Sequence, residues 1–179
     1  MSTTTCGPAL ALGLLLSGLA RCVSADELPL SRVRGVDGRA RALLDEAIWR
    51  SGTFQRLVDE VADSDLIVYV SRTPLDGTLR GALRFVGTGA DGVRYLLIEL
   101  NDGRGDDLDA LSDRLAGIAT LAHELQHALE VADATSVRDL ASFEAFFGDV
   151  GKSRRDVVDT QAAQLAGEQV YFEMTGRKQ

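Results

Sequence analysis

The sequence predicts an α+β fold, a small three-stranded sheet packed on helices, and three features of the chain predict it. Between Gly38 and Val61 apolar residues recur at helical spacing. Between Leu66 and Leu100 the texture turns β-branched and aromatic, interrupted by turn residues. From Asp107 onward helical spacing returns over three more segments.

The first helical region places Ala42, Leu43, Ala47, Ile48, Phe54, Leu57, Val58 and Val61 on one side. Ser51-Gly52-Thr53 divides it into two helices, with Thr53 as the expected N-cap of the second. Leu66–Val70 is the first expected strand, ended by Pro74 and by the turn pair Asp76-Gly77. Gly81–Val86 and Val93–Leu100 are the second and third, an antiparallel pair around the hairpin loop Gly87–Gly92. Asn101–Asp106 follows as an acidic capping loop. Its Arg104-Gly105-Asp106 tripeptide and its carboxylates lack the ligand spacing of a calcium site.

Asp106 or Asp107 can cap a long helix whose stripe is Leu108, Leu111, Leu115, Ile118, Leu121, Leu125 and Leu129. Two further helices are expected, from Ser136 to about Phe147 and from Asp156 to about Met174. The basic, glycine-bearing stretch Gly148–Arg155 between them reads as a solvated loop.

Composition limits the function. The 179 residues carry a formal charge of −8 and a pI of about 4.7, so most of the surface repels a nucleic-acid backbone or an anionic membrane. Nucleic acid is therefore not an expected partner. Residues 1–25 resemble a secretory signal, with an apolar run from Pro8 to Ala20 and the small residues Val23-Ser24-Ala25 where a peptidase cleaves. That run is too short to span a bilayer. The expected mature domain is 26–179, secreted or periplasmic, without stable membrane insertion. Both cysteines, Cys6 and Cys22, precede the expected cleavage point, and the charged Arg21 argues against lipid attachment at Cys22. The mature domain then has no thiol to serve as nucleophile, disulfide or ligand.

The chemistry concentrates in Leu121–Glu130, LAHELQHALE, which holds both histidines of the chain. His123 and His127 lie one turn apart on one helix face, flanking the stripe of Leu121, Leu125 and Leu129, so both rings can reach one ion. Glu124, beside the first histidine, is placed to act on a water molecule rather than to ligate. This is the H-E-x-x-H arrangement of zinc peptidases. Catalytic zinc takes three protein ligands. With no third histidine and no mature cysteine, the remaining one must be a carboxylate. Glu130, Asp133, Glu144, Asp159, Glu168 and Glu173 are the candidates. Glu130 shares the histidine helix and points along its axis. Asp159 leads them because Ala162, Ala163 and Ala166 allow its helix to approach closely, followed by Glu168 and Glu144.

The run His123–Glu130 with Val131-Ala132 and Val137-Arg138-Asp139 resembles small bacterial zincin-like proteins of the minigluzincin type. The segment Asp159-Thr160, Ala162-Ala163, Gly167, Val170 and Glu173 resembles them too. The likeness covers about the last third of the chain. It implies a zincin-like fold and a zinc-dependent peptidase, with His123, His127 and Asp159 on Zn2+ and Glu124 as general base. In such proteins the position of Asp159 is usually glutamate in a Phe-Glu-Thr segment, and here the segment is Val158-Asp159-Thr160. The expected substrate is a peptide or protein, paired along Val93–Leu100. Tyr171 and Arg138 are candidates to stabilise an oxyanion. Two other readings are a metal-binding module without turnover and a hydrolase of another substrate.

Overall fold

In the computed structural model, which describes residues 31–76, 78–102, 110–150 and 159–176, the fold begins with a strand too short for its sequence to announce. This strand, β1 (Val33–Gly35), is followed by α1 (Gly38–Arg50), α2 (Gly52–Ala62), β2 (Leu66–Thr73), β3 (Gly81–Thr88) and β4 (Arg94–Asn101). Three helices complete the chain: α3 (Ala110–Asp133), α4 (Leu140–Val150) and α5 (Gln161–Thr175). The α+β class holds. The expected leader 1–25, both cysteines, the caps Asp106 and Asp107 and the linker 151–155 lie outside the described residues.

The sheet has four strands rather than three, in the order β1-β2-β4-β3. With three residues, β1 offers no alternation to read, yet it pairs parallel to β2 through Val33 and Val68. The expected hairpin forms, with β3 antiparallel to β4 and Gly92 at φ 81° in its turn. It is β4, however, that inserts beside β2 in parallel, pairing Val68 with Leu96 and Val70 with Ile98. Burial explains this order. In β2 and β4 alternate residues are fully buried, including Leu66, Val68, Val70, Leu96 and Ile98, whereas no residue of β3 is. The richest apolar strand takes the centre, and β3 is left as an edge.

Helices α1, α2 and α3 cover that buried face, and α5 packs on α3 and α2. Ile118, Leu121 and Leu125 of the predicted stripe are fully buried, while Leu111 is 66% exposed. The close approach of α5 to α3 is made by Ala163, Ala166 and Gly167, with Ala162 turned outward. A Cβ on Gly167 would stand 3.0 Å from the Ala119 carbonyl oxygen and 3.4 Å from the His123 Cβ. Gly167 thus sets how near the last helix comes to the histidines.

Helix boundaries differ from expectation where a cap lies elsewhere. Ser51, not Thr53, caps α2, because its extended backbone lets its Oγ accept from the Phe54 N–H at 3.0 Å. Thr53 sits inside the helix and donates its hydroxyl to Glu173 at 2.6 Å. Helix α4 starts at Leu140 rather than Ser136, behind Asp139, whose carboxylate accepts from the Ser142 N–H at 2.8 Å. Thr160 caps α5, accepting from the Ala163 N–H at 3.1 Å, so Asp159 lies just ahead of the helix rather than on it.

Glu173 is not near the histidines; it fastens α5 to the start of α2. Burial opposes its charge, but donation from Ser51 Oγ, the Thr53 hydroxyl and backbone N–H, and Gln169 outweighs this and holds its pKa at about 2. A carboxylate depressed from 4.5 to about 2 adds stability that is complete above about pH 5 and is lost as the pH falls toward 2. After allowance for solvent screening, metal-free wild type should lose on the order of 2 kcal/mol more than Glu173→Gln over that interval in urea unfolding. Equal losses would show that these hydrogen bonds do not hold the charge.

Candidate metal centre

The centre is built on the middle of α3, where the helical repeat brings the two histidines together. Their Nε2 atoms face each other at 3.1 Å, with the rings nearly perpendicular at 83°. Two nitrogens bound to one tetrahedral ion at 2.0–2.1 Å stand about 3.3 Å apart, so the spacing suits a shared ion. The chemistry of the pair suits one too. Nδ1 of His127 lies 2.8 Å from Glu130 Oε2. A carboxylate there fixes the proton on Nδ1 and leaves the lone pair on Nε2. Burial, and then the neighbouring His127, lower the pKa of His123 against opposing pulls from Asp159, the Ala163 backbone and Glu130. His123 is therefore neutral at pH 7, with a nitrogen lone pair to offer.

Two carboxylates approach these rings. Asp159 Oδ1 stands 3.8 Å from His123 Nε2, while its Oδ2 accepts from Gln164 Nε2 at 2.8 Å. Glu130 is the second, and its other oxygen accepts the Thr160 hydroxyl at 2.5 Å. A continuous chain of contacts therefore runs from His127 through Glu130 to Thr160, the neighbour of Asp159. That chain sets where Asp159 enters the site.

The other candidate acids stand apart. Glu144, Glu168 and Asp133 are exposed on their helices, and none of them pairs with a histidine among the described residues. Arg138 is also elsewhere: it donates to Asp65 Oδ2 at 2.9 Å and to the Thr135 carbonyl at 2.9 Å. Tyr171 packs edge-on against Phe172 with ring centroids 6.5 Å apart.

As the side chains stand, no group of three or more His, Cys, Asp or Glu among the described residues is arranged to hold a metal ion. The histidine pair converges. Measured from His123, the carboxylate of Asp159 falls about half an ångström outside the ligand spacing that the pair meets, on a side chain 42% exposed.

Glu124 occupies the inner wall and is only 8% exposed. Desolvation, then the charge of Asp159, pushes its pKa up to about 7. Its neighbour is the start of the edge strand. A Cβ on Gly81 would meet Thr120 Cγ2 at 2.6 Å and Glu124 Oε1 at 2.9 Å, so β3 comes this close to the acid only because residue 81 has no side chain. This corrects the expected substrate strand. Both sides of β4 are occupied by β2 and β3, and the strand beside Glu124 that stands at the sheet edge among the described residues is β3. Against His127 stands an aromatic wall, with Phe147 edge-on at 5.8 Å and Phe143 between Phe147, which it meets edge-on, and Phe85, against which it is tilted.

Sequence reasoning missed the roles of Glu130, Thr160, Gln164 and Gly81. Glu130 was legible from its spacing, three residues after His127 on the same face. Gly81 gave no signal, since its meaning lies in a strand order that only the tertiary fold sets.

No protein-family model matches the chain, and no curated protein or solved structure matches it significantly.

Proposed function

We propose that this protein is a zinc-dependent peptidase of the zincin type, exported from the cell, with His123, His127 and Asp159 as metal ligands and Glu124 as general base. The observation that carries the reading is the convergence on α3: two ring nitrogens 3.1 Å apart, a buried acid beside them and an aspartate 3.8 Å from His123. Zinc held there supplies a Lewis acid for a carbonyl group and lowers the pKa of water toward about 7.

The remaining work falls to the chain. Glu124 accepts a proton from the attacking water and hands it to the leaving amine, a role suited to a carboxylate whose environment already raises its proton affinity. Glu130 keeps the His127 lone pair aimed inward. The free edge of β3 offers backbone groups to an extended peptide, which would pass directly over Glu124 at Gly81. The aromatic wall of Phe143 and Phe147 limits water on the His127 side.

A second reading, a metal-binding module without turnover, draws support from the 3.8 Å separation of Asp159 from His123, and from an aspartate standing where the resemblance implies a longer glutamate. Zinc titration of residues 26–179 followed by a peptide-library digest separates the two. The peptidase reading expects cleavage that a chelator removes and zinc restores; full zinc uptake without cleavage supports the module.

Ligand assignment has its own check. Asp159→Ala should drop zinc below one ion per chain, while Glu168→Ala and Glu144→Ala keep it. Glu130→Gln should weaken zinc binding about 10- to 100-fold. Loss of zinc in Glu168→Ala alone would overturn the assignment.

A further inference from the structure

A cavity of about 590 Å³ opens beside the N-terminal half of α3, lined by Arg39, Arg72, Arg80 and Arg114 with Asp102 and Asp113. Among the described residues, four guanidinium groups against two carboxylates is a reversal of sign in a chain whose formal charge is −8. The internal pairing does not cancel it. Arg39 and Arg72 share the single carboxylate of Asp102, at 3.1 and 3.2 Å, and Arg114 pairs with Glu46. Arg80 is exposed and makes no ion pair among the described residues.

The cavity adjoins the catalytic wall. Thr120 lines it, and Thr120 and Glu124, one turn apart on α3, are the two side chains that crowd Gly81. Arg80 immediately precedes Gly81. A peptide paired with the edge of β3 would cross Glu124 at Gly81 and continue past Arg80 into the arginine-lined space.

Resting on the peptidase reading above, we propose that this cavity is a subsite for a substrate carboxylate, which the arginines recognise by charge-assisted hydrogen bonds. The carboxylate has two possible sources, an Asp or Glu side chain next to the scissile bond or the C-terminus of the peptide. Because guanidinium groups present planar, paired donors, the site should favour a carboxylate over its uncharged amide isostere.

The test uses zinc-loaded protein and matched fluorescent peptides, Glu against Gln at each position beside the scissile bond and a C-terminal acid against its amide. The carboxylate form should be cleaved with kcat/KM about tenfold higher, and the pair that shows the difference identifies the source. In Arg80→Gln and Arg114→Gln that acid-to-amide ratio should fall toward one, and 0.5 M NaCl should reduce it in wild type. The same peptides are also titrated into zinc-loaded Glu124→Gln by fluorescence anisotropy, which reads the subsite without turnover. Tighter binding of the acid form, lost in the arginine variants, with no cleavage by wild type would keep the subsite and sink the peptidase reading. Cleavage with no preference for the carboxylate, or a preference unchanged in both arginine variants, would overturn the subsite and leave the peptidase reading standing.

Discussion

Glu124→Gln is expected to lower kcat/KM for peptide hydrolysis by about 10²- to 10⁴-fold while leaving zinc content unchanged. The substitution keeps the shape of a side chain that is 8% exposed and pressed by Gly81, so the fold has no reason to respond. It removes only the ability to take and return a proton. Zinc analysis and single-turnover kinetics on the same preparation check the two halves together. Cleavage that survives the substitution would exclude Glu124 as the base. The pH profile follows from the same group. Burial and Asp159 place its pKa at about 7 in the metal-free protein, and a divalent ion nearby favours the charged form. With Glu124 as the proposed base the ionised form is the active one, so kcat/KM should fall on the acid side with a midpoint below about 7 in wild type. Glu124→Gln should lack that limb.

Arg94→Met should destabilise the protein by about 3–5 kcal/mol, the cost of leaving several carbonyl oxygens at and after the end of α3 without their donor, while Asp65, 36% exposed, keeps Arg138. Arg94 is 1% exposed and forks against Asp65. Its other donors close the end of α3 and the turn after it, reaching the carbonyl oxygens of Val131 at 2.6 Å, Ala132 at 2.8 Å, Ala134 at 3.1 Å and Val137 at 3.3 Å. Those of Val131 and Ala132, in the last turn of α3, are carbonyls that a helix end leaves without partners. Because β4 thereby holds the helix that carries His127, zinc binding should weaken along with stability. Urea unfolding of metal-free protein measures the first effect. A loss below about 1 kcal/mol would mean that water replaces the guanidinium without cost.

What the sequence made legible was local. Helical spacing around Leu121 and Leu125 placed His123 and His127 on one face, and α3 carries them so. The runs Leu66–Val70 and Val93–Leu100 marked the two central strands by composition. The order of strands was not legible, because β2 and β3 are neighbours in sequence and are separated in space by β4. Arg94 was hidden for a similar reason. A charged residue at the start of a strand reads as surface, and its burial depends on Asp65 and on carbonyls up to 43 residues away. At the site, Glu124 needed only its spacing to be found. Glu130 was visible but was weighed as a ligand, whereas its contact with His127 Nδ1 makes it the group that orients one. Asp159 was singled out through the small residues of α5, and the reason differs in detail: Ala163, Ala166 and Gly167 bring the helix in, while Thr160 and Glu130 position the loop residue ahead of it.

His123, His127 and Asp159 are proposed to act as one metal site. X-ray absorption at the zinc edge on protein loaded with one equivalent of zinc tests this most directly, comparing wild type with Asp159→Ala and Glu168→Ala. Two imidazole nitrogens and oxygen donors at about 2.0–2.2 Å are expected in wild type and in Glu168→Ala, with weakened or lost zinc in Asp159→Ala. Wild type that binds no zinc, or a zinc shell with no imidazole, would contradict it.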